Sequence, residues 1–180
     1  QFKIRLNEPE EAVNALREAL QIDPDRTELR LWLSKTLISI GELGEARQSI
    51  LKLISEPKTN EAELHQAAYL CLQLNNIELA VEALEKAQRR KGEVDPLILI
   101  DLAVGYTLMG QTRKAVEILN QHTEMVQGHP QLMLLKSDLL NQVKSWQQEI
   151  IAEFEEDDFS EEDSLLHLAQ AAIEYQNDID

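Results

Sequence analysis

The stretch GELGEARQSI, residues 41–50, decides the fold. It opens on a glycine, runs through charged and polar residues, reaches Ala46 and then turns apolar. The same order returns in NIELAVEALEKA at 76–87, in GQTRKAVEIL at 110–119 and, earlier, in NEPEEAVNALREAL from Asn7. Aligned on their alanines, Ala12, Ala46, Ala80 and Ala115 stand 34, 34 and 35 residues apart. Five positions before each stands Asn7, Gly41, Asn75 or Gly110. These residue types tolerate the left-handed backbone that closes a helix. Four positions after each alanine come Leu16, Ile50, Leu84 and Leu119; seven after come Ala19, Leu53, Ala87 and His122. Offsets of four and seven share one helical face. Each copy therefore predicts a helix end, a tight turn and a second helix.

The first helix of each pair emerges on reading backwards from the turn. Its stripe is Leu33, Ser34, Leu37 and Ile40 in one copy. In the next it is Leu64, Ala67, Ala68, Cys71 and Leu74, and after that Leu99, Leu102, Ala103, Tyr106 and Met109. Ser34, Ala68 and Ala103 are small residues at one phase, twelve before Ala46, Ala80 and Ala115. A small residue on each of two antiparallel helices lets their backbones approach closely.

Composition agrees with an all-helical chain. The 180 residues are 43% hydrophobic but only 4% aromatic, with Leu and Ala dominant, which favours helix over strand. No apolar run approaches the roughly 20 residues that cross a bilayer. The single Cys71 forms no internal disulfide, so cysteine usage assigns no compartment. Net charge is −16 and uneven: residues 1–90 carry 12 Lys/Arg against 15 Asp/Glu, and residues 91–180 carry 5 against 18. That sign opposes nucleic acid and anionic membrane surfaces as partners.

The phased copies resemble the tetratricopeptide repeat, a helix–turn–helix unit of 34 residues. Asp23-Pro24 matches the proline that often ends such a unit. The bulky aromatic usual near the start of the first helix is replaced by Arg30, Leu64 and Leu99, and Trp32 does not occupy that slot. The resemblance implies a right-handed α-α superhelix, or solenoid, of about five repeats. The expected divisions are a partial repeat at 1–25, repeats at 26–59, 60–94 and 95–129, a degenerate repeat at 130–159 and a terminal helix at 160–180. In the degenerate repeat, LMLLKSDLLNQVKSWQQEI places Ser137 as the small residue, Lys144 in the turn, Trp146 just after it and Glu149 where alanine belongs. Ser160 and Asp163 form an S-x-x-D helix-start signature before a stripe of Leu168, Ala171, Ala172 and Tyr175. With Gln1 first and residues 1–6 resembling the tail of a helix, both ends are expected to be cut from a longer array.

In this family the first helices line a concave side. The residues expected there include Leu31, Lys35 and Ile38, then His65, Tyr69 and Leu72, then Leu97, Ile100, Val104 and Leu108. This strip is mostly apolar, as interaction surfaces are. It fits an amphipathic helix or an extended peptide. It lacks the several cations that clamp a terminal carboxylate; only Lys35 comes near. Burial between repeats is the competing reading of the same residues. The acidic run EFEEDDFSEED, Glu153–Asp163, is either a solvated linker or a dock for a basic partner, with Phe154 and Phe159 pinning it to the array.

Nothing points to catalysis. His65, His122, His129 and His167 include no i, i+4 metal-binding pair. There is no phosphate-cradling glycine loop, and Cys71 sits at the core phase of its helix. The expectation is a non-catalytic protein-binding scaffold without cofactor or metal. Its alternative is a recruiting or regulatory module of a larger enzyme or of a bacterial envelope, secretion or polysaccharide-export protein. Self-association through the groove or the ends is a third reading.

Overall fold

The turns set the architecture. In the computed structural model, which describes residues 9–91 and 95–156 with side chains at 9–90 and 95–148, every regular element is an α-helix. In order these are α1 Pro9–Ile22, α2 Thr27–Ser39, α3 Leu43–Ser55, α4 Glu61–Gln73, α5 Ile77–Lys91, α6 Pro96–Leu108, α7 Thr112–Gln121, α8 Thr123–Gly128 and α9 Pro130–Glu156. Between α2 and α3, α4 and α5, and α6 and α7, the turn residue takes positive φ: 82° at Gly41, 52° at Asn75 and 76° at Gly110. Asn7 lies outside the described residues.

All three turns close the same way. Gly41 N–H donates to the Ile38 carbonyl at 3.1 Å and Glu42 N–H to the Leu37 carbonyl at 2.9 Å. Asn75 and Asn76 donate likewise to Leu72 and Cys71, and Gly110 and Gln111 to Thr107 and Tyr106. This paired pattern satisfies carbonyls that a helix end leaves open. The residue after the turn then starts the next helix, since the carbonyls of Glu42, Asn76 and Gln111 accept from Ala46, Ala80 and Ala115. One residue thus ends one helix and begins another.

The chain divides into two compact units, residues 1–98 and 99–180, with the boundary inside α6. In the first unit α1 packs on α2, α2 on α3 and α4, α3 on α4, and α4 on α5. The small residues sit at the close approaches: Ser34, Ala46, Ala68 and Ala80 are all 2% exposed or less. Ser34 goes further: its Oγ lies 2.9 Å from both the Ser49 hydroxyl, across the α2–α3 contact, and the Arg30 carbonyl, so its one proton serves one of them at a time. Around them Leu37, Ile50, Leu53, Leu64, Cys71 and Leu84 are buried. Each fully buried leucine contributes about 1.5–3 kcal/mol. An Asn60–Glu63 capping box starts α4, and Thr27 of α2 donates to the same Glu63 at 3.0 Å. Arg90 and Lys86 of α5 reach back to carbonyls at the end of α3 and in the connection after it, Lys86 to Ile54 and Arg90 to Glu56 and Thr59. Cations suit a helix C-terminus.

In the second unit α7 packs on α8 and α9, and α8 on α9. Two sequence expectations give way here. The fourth repeat's second helix breaks at His122, whose backbone (φ −114°, ψ 42°) leaves the helix between α7 and α8. At that phase the earlier copies bury Leu53 and Ala87, and a half-buried histidine offers less. The fifth repeat has no turn at Lys144: α9 runs unbroken through it, and Ser137 is exposed. From 130 to 156 no glycine offers positive φ, and lysine is a good helix former. The helix-start signature at Ser160, the stripe from Leu168 to Tyr175 and the first six residues lie outside the described residues.

Candidate partner-binding surface

α2 and α4 lie side by side, and their outward residues form one patch. Its centre is Lys35 of α2, whose ammonium donates to the Gln66 Oε1 of α4 at 2.5 Å. The same ammonium lies 5.9 Å from the ring centre of Trp32, one turn back, within reach of a cation–π attraction. On α4, His65 and Tyr69 stand one turn apart with ring centres 5.2 Å apart and planes tilted by 37°. Tyr69 is 51% exposed, Trp32 46% and Leu72 38%. Ile38 and His65 are half-buried beside them. Aromatic bodies with polar tips supply contact area at low cost in side-chain entropy.

Leu31 departs from the expectation. At 5% exposure it belongs to the core and not to the open strip. Three helices, α1, α3 and α4, pack on α2 and widen its buried face beyond the stripe of Leu33, Ser34 and Leu37. Trp32 and Gln66 were not among the expected contact residues. They occupy equivalent places, 34 residues apart. A tryptophan off the core stripe was the available signal.

Helix α6 carries a second exposed apolar stripe. Leu97 is 58% exposed, Val104 40% and Leu108 56%, with Ile100 half-buried among them. Their spacing of three, four and four puts them on one face of the helix. The opposite side, Ile98, Leu99, Leu102, Ala103 and Tyr106, is buried. Lys114 of α7 places its ammonium 4.6 Å from the Tyr106 ring centre.

Chemistry elsewhere is quiet. Burial pushes the Cys71 thiol up to about 12, with Glu82 adding to the shift, so at neutral pH it is a packed thiol. Among the described residues no three His, Cys, Asp or Glu side chains gather as a metal site would require. No described helix is long and apolar enough to cross a membrane. The acidic run lies outside the residues whose side chains are described.

Helical hairpins closed by the same turn at 34- and 35-residue intervals define a helical repeat protein of the solenoid class. Residues 4–69 and 64–93 match models described as tetratricopeptide repeat. The chain belongs to the tetratricopeptide repeat family. No curated protein matches its sequence. Solved structures do share the fold. MamA is similar at 21% identity over 92% of this chain and 91% of its own, with a TM-score of 0.58. YrrB, a TPR protein described as having an unusual peptide-binding site, is similar at 16% identity over 77% and 71%, also at 0.58. Pseudomonas aeruginosa pilF is similar at 20% identity over 95% and 79%, at 0.52.

Proposed function

We propose that this chain is a non-catalytic scaffold that binds a protein or peptide segment across the outward face of α2 and α4. The observation that carries the reading is the outward face of two packed helices, where exposed Trp32 lies beside Lys35 on α2, Lys35 bonds Gln66 of α4, and α4 exposes Tyr69 and Leu72 next to His65. Large exposed side chains on adjacent helices exceed what a solvated face needs. Aromatic residues are also the ones that dominate binding energy at interfaces. The α6 stripe offers a second apolar contact of the same kind. The partner class is an amphipathic helix or extended peptide that presents apolar anchors and an acceptor for Lys35. The peptide-binding description of YrrB belongs to that protein and supports only the plausibility of the class.

The test is capture of binding proteins by the intact chain, set against a Trp32→Ala, Tyr69→Ala double variant of equal helicity by circular dichroism. A partner retained by the parent and lost by the variant supports the α2/α4 surface. Equal capture by both removes this surface from consideration.

A further inference from the structure

The first helix of each regular pair keeps one face for its second helix. The small residues Ser34, Ala68 and Ala103 of α2, α4 and α6 lie on it, all 2% exposed or less. Three residues on, Leu37, Cys71 and Tyr106 are 4% exposed or less, and four residues back Leu64 and Leu99 are fully buried. α3 packs on α2 and α5 on α4, and the Ser34 and Ser49 hydroxyls meet at 2.9 Å across the first of these contacts. In α9 the equivalent residues are Met133, Ser137 and Leu140, 34 beyond Leu99, Ala103 and Tyr106. There Met133 is 52% exposed, Leu140 37%, and Ser137 is open as well. Among the described residues no second helix turns back on them, because α9 runs straight through Lys144, where the turn residue would stand. The buried Leu132 and Leu139 of α9 belong to another face, about 140° and 160° around the helix from Ser137.

We propose that this seam takes an amphipathic helix of a partner protein, lying antiparallel to α9 as a second helix would. Shape sets part of its chemistry. A small residue opposite Ser137 lets the helices close, as Ala46 and Ala80 do in the regular pairs, and aliphatic residues four further on, like Ile50 and Leu84, cover Met133.

Charge decides between a partner and a second copy. Lys136 and Asp138 flank the seam on opposite sides, and Lys144 stands on it two turns beyond Ser137. Neither lysine has an ion-pair partner among the described residues. A second copy antiparallel about Ser137 sets Lys136 beside Lys136 and Asp138 beside Asp138, and a parallel copy sets Lys144 on Lys144. A partner helix meets no such conflict. Antiparallel docking lays its first turn beside Lys144, and carboxylates are favoured in a first turn by the helix dipole. The starts of α3 and α5 carry such acids at Glu42, Glu45 and Glu78. The occupant is thus an amphipathic helix with an acidic start and a small residue at its centre. Its surface is separate from the α2/α4 patch.

The probe is a synthetic peptide of residues 41–55 of this chain, blocked at both ends and labelled with fluorescein, titrated with the full chain by anisotropy. Binding is expected for the parent and, equally, for Ser137→Ala and for the Trp32→Ala, Tyr69→Ala variant of the other surface. Ser137→Arg, an exposed change that leaves helicity intact, is expected to weaken binding about tenfold or more. Lys144→Glu is expected to weaken it too, and a peptide carrying Glu42→Lys and Glu45→Lys to recover part of that loss. No binding by the parent, or equal binding by Ser137→Arg, would overturn the proposal. Alkylation of Ser137→Cys in a Cys71→Ala background checks that the seam is open, with fast reaction expected. Protection in a monomer would mean cover from within the molecule, and protection in a dimer cover by a second copy; either overturns the proposal.

Discussion

Gly41 and Gly110 show what a single residue does in this fold. Nothing lies within 4 Å of where a Cβ would stand at either position, yet their φ values are 82° and 76°. A substitution there is opposed by backbone strain and not by crowding. Gly41→Ala and Gly110→Ala should each cost about 1–2 kcal/mol, read as lower midpoints in urea denaturation. Ala80 is the converse case: it is 1% exposed, and a larger side chain has no room. Ala80→Leu should cost about 1–3 kcal/mol in the same measurement. Cys71 is held as a thiol by burial. Its alkylation at pH 8 should therefore proceed only as fast as the helix pair opens, and should accelerate sharply in urea.

At the scale of the element, capping separates the three second helices. Asn76 accepts from the Leu79 N–H at 3.2 Å, whereas Gln111 makes no side-chain cap on α7. Gln111→Asn should stabilise the protein by about 0.5–1 kcal/mol, measured by thermal melting. Lys144→Gly asks whether α9 is continuous. Within a helix it costs about 1 kcal/mol, whereas at a turn of positive φ it would stabilise.

What the sequence made legible follows the same physics. Gly41, Asn75 and Gly110 announce their turns because few residues accept that backbone, and Ala46, Ala80 and Ala115 announce close helix contacts. The unbroken α9 was hidden because Ser137 and Trp146 kept the family's spacing while the turn residue itself was missing. Leu31 was misplaced because its burial depends on three neighbouring helices and not on its own helix's period. Trp32 was passed over because it does not fill the family's aromatic slot. The members of the α2/α4 patch could be named in part, but the Lys35–Gln66 contact needs two repeats in register.

For the molecule as a whole, charge is the dominant variable. Ion pairs tie successive repeats: Arg17 to Glu45 at 3.0 and 2.5 Å, and Lys58 to Asp25 at 2.7 Å. Hydrogen bonds from Arg17 and Lys58 hold the Glu45 and Asp25 carboxyls below their ordinary ranges. A lowered carboxyl contributes stability above its unfolded value and loses it as pH falls through the folded one. The melting-temperature gap between the parent and Glu45→Gln should therefore be present at pH 7 and shrink as pH falls below about 4. These pairs are exposed, so the gap should be small. The net charge of −16 acts in the opposite sense by self-repulsion. Raising salt from about 0.01 to 0.15 M should raise the melting temperature.

The shared turn residue also says where the repeat can tolerate a change in length. From turn residue to alanine the distance is five in every described copy, while the spacing from one repeat to the next is 34 or 35. Glu42, Asn76 and Gln111 each serve two helices, so that joint has no slack. One residue inserted there would rotate the following helix by about 100° and swing its apolar face out of register. In the connection between α3 and α4, Glu56 caps the end of one helix and Asn60 the start of the next, so no single residue there serves both and an inserted residue is expected to cost less. Lengthening of this protein is therefore better placed at that outer joint, which acts as an expansion gap, than at the shared turn residue.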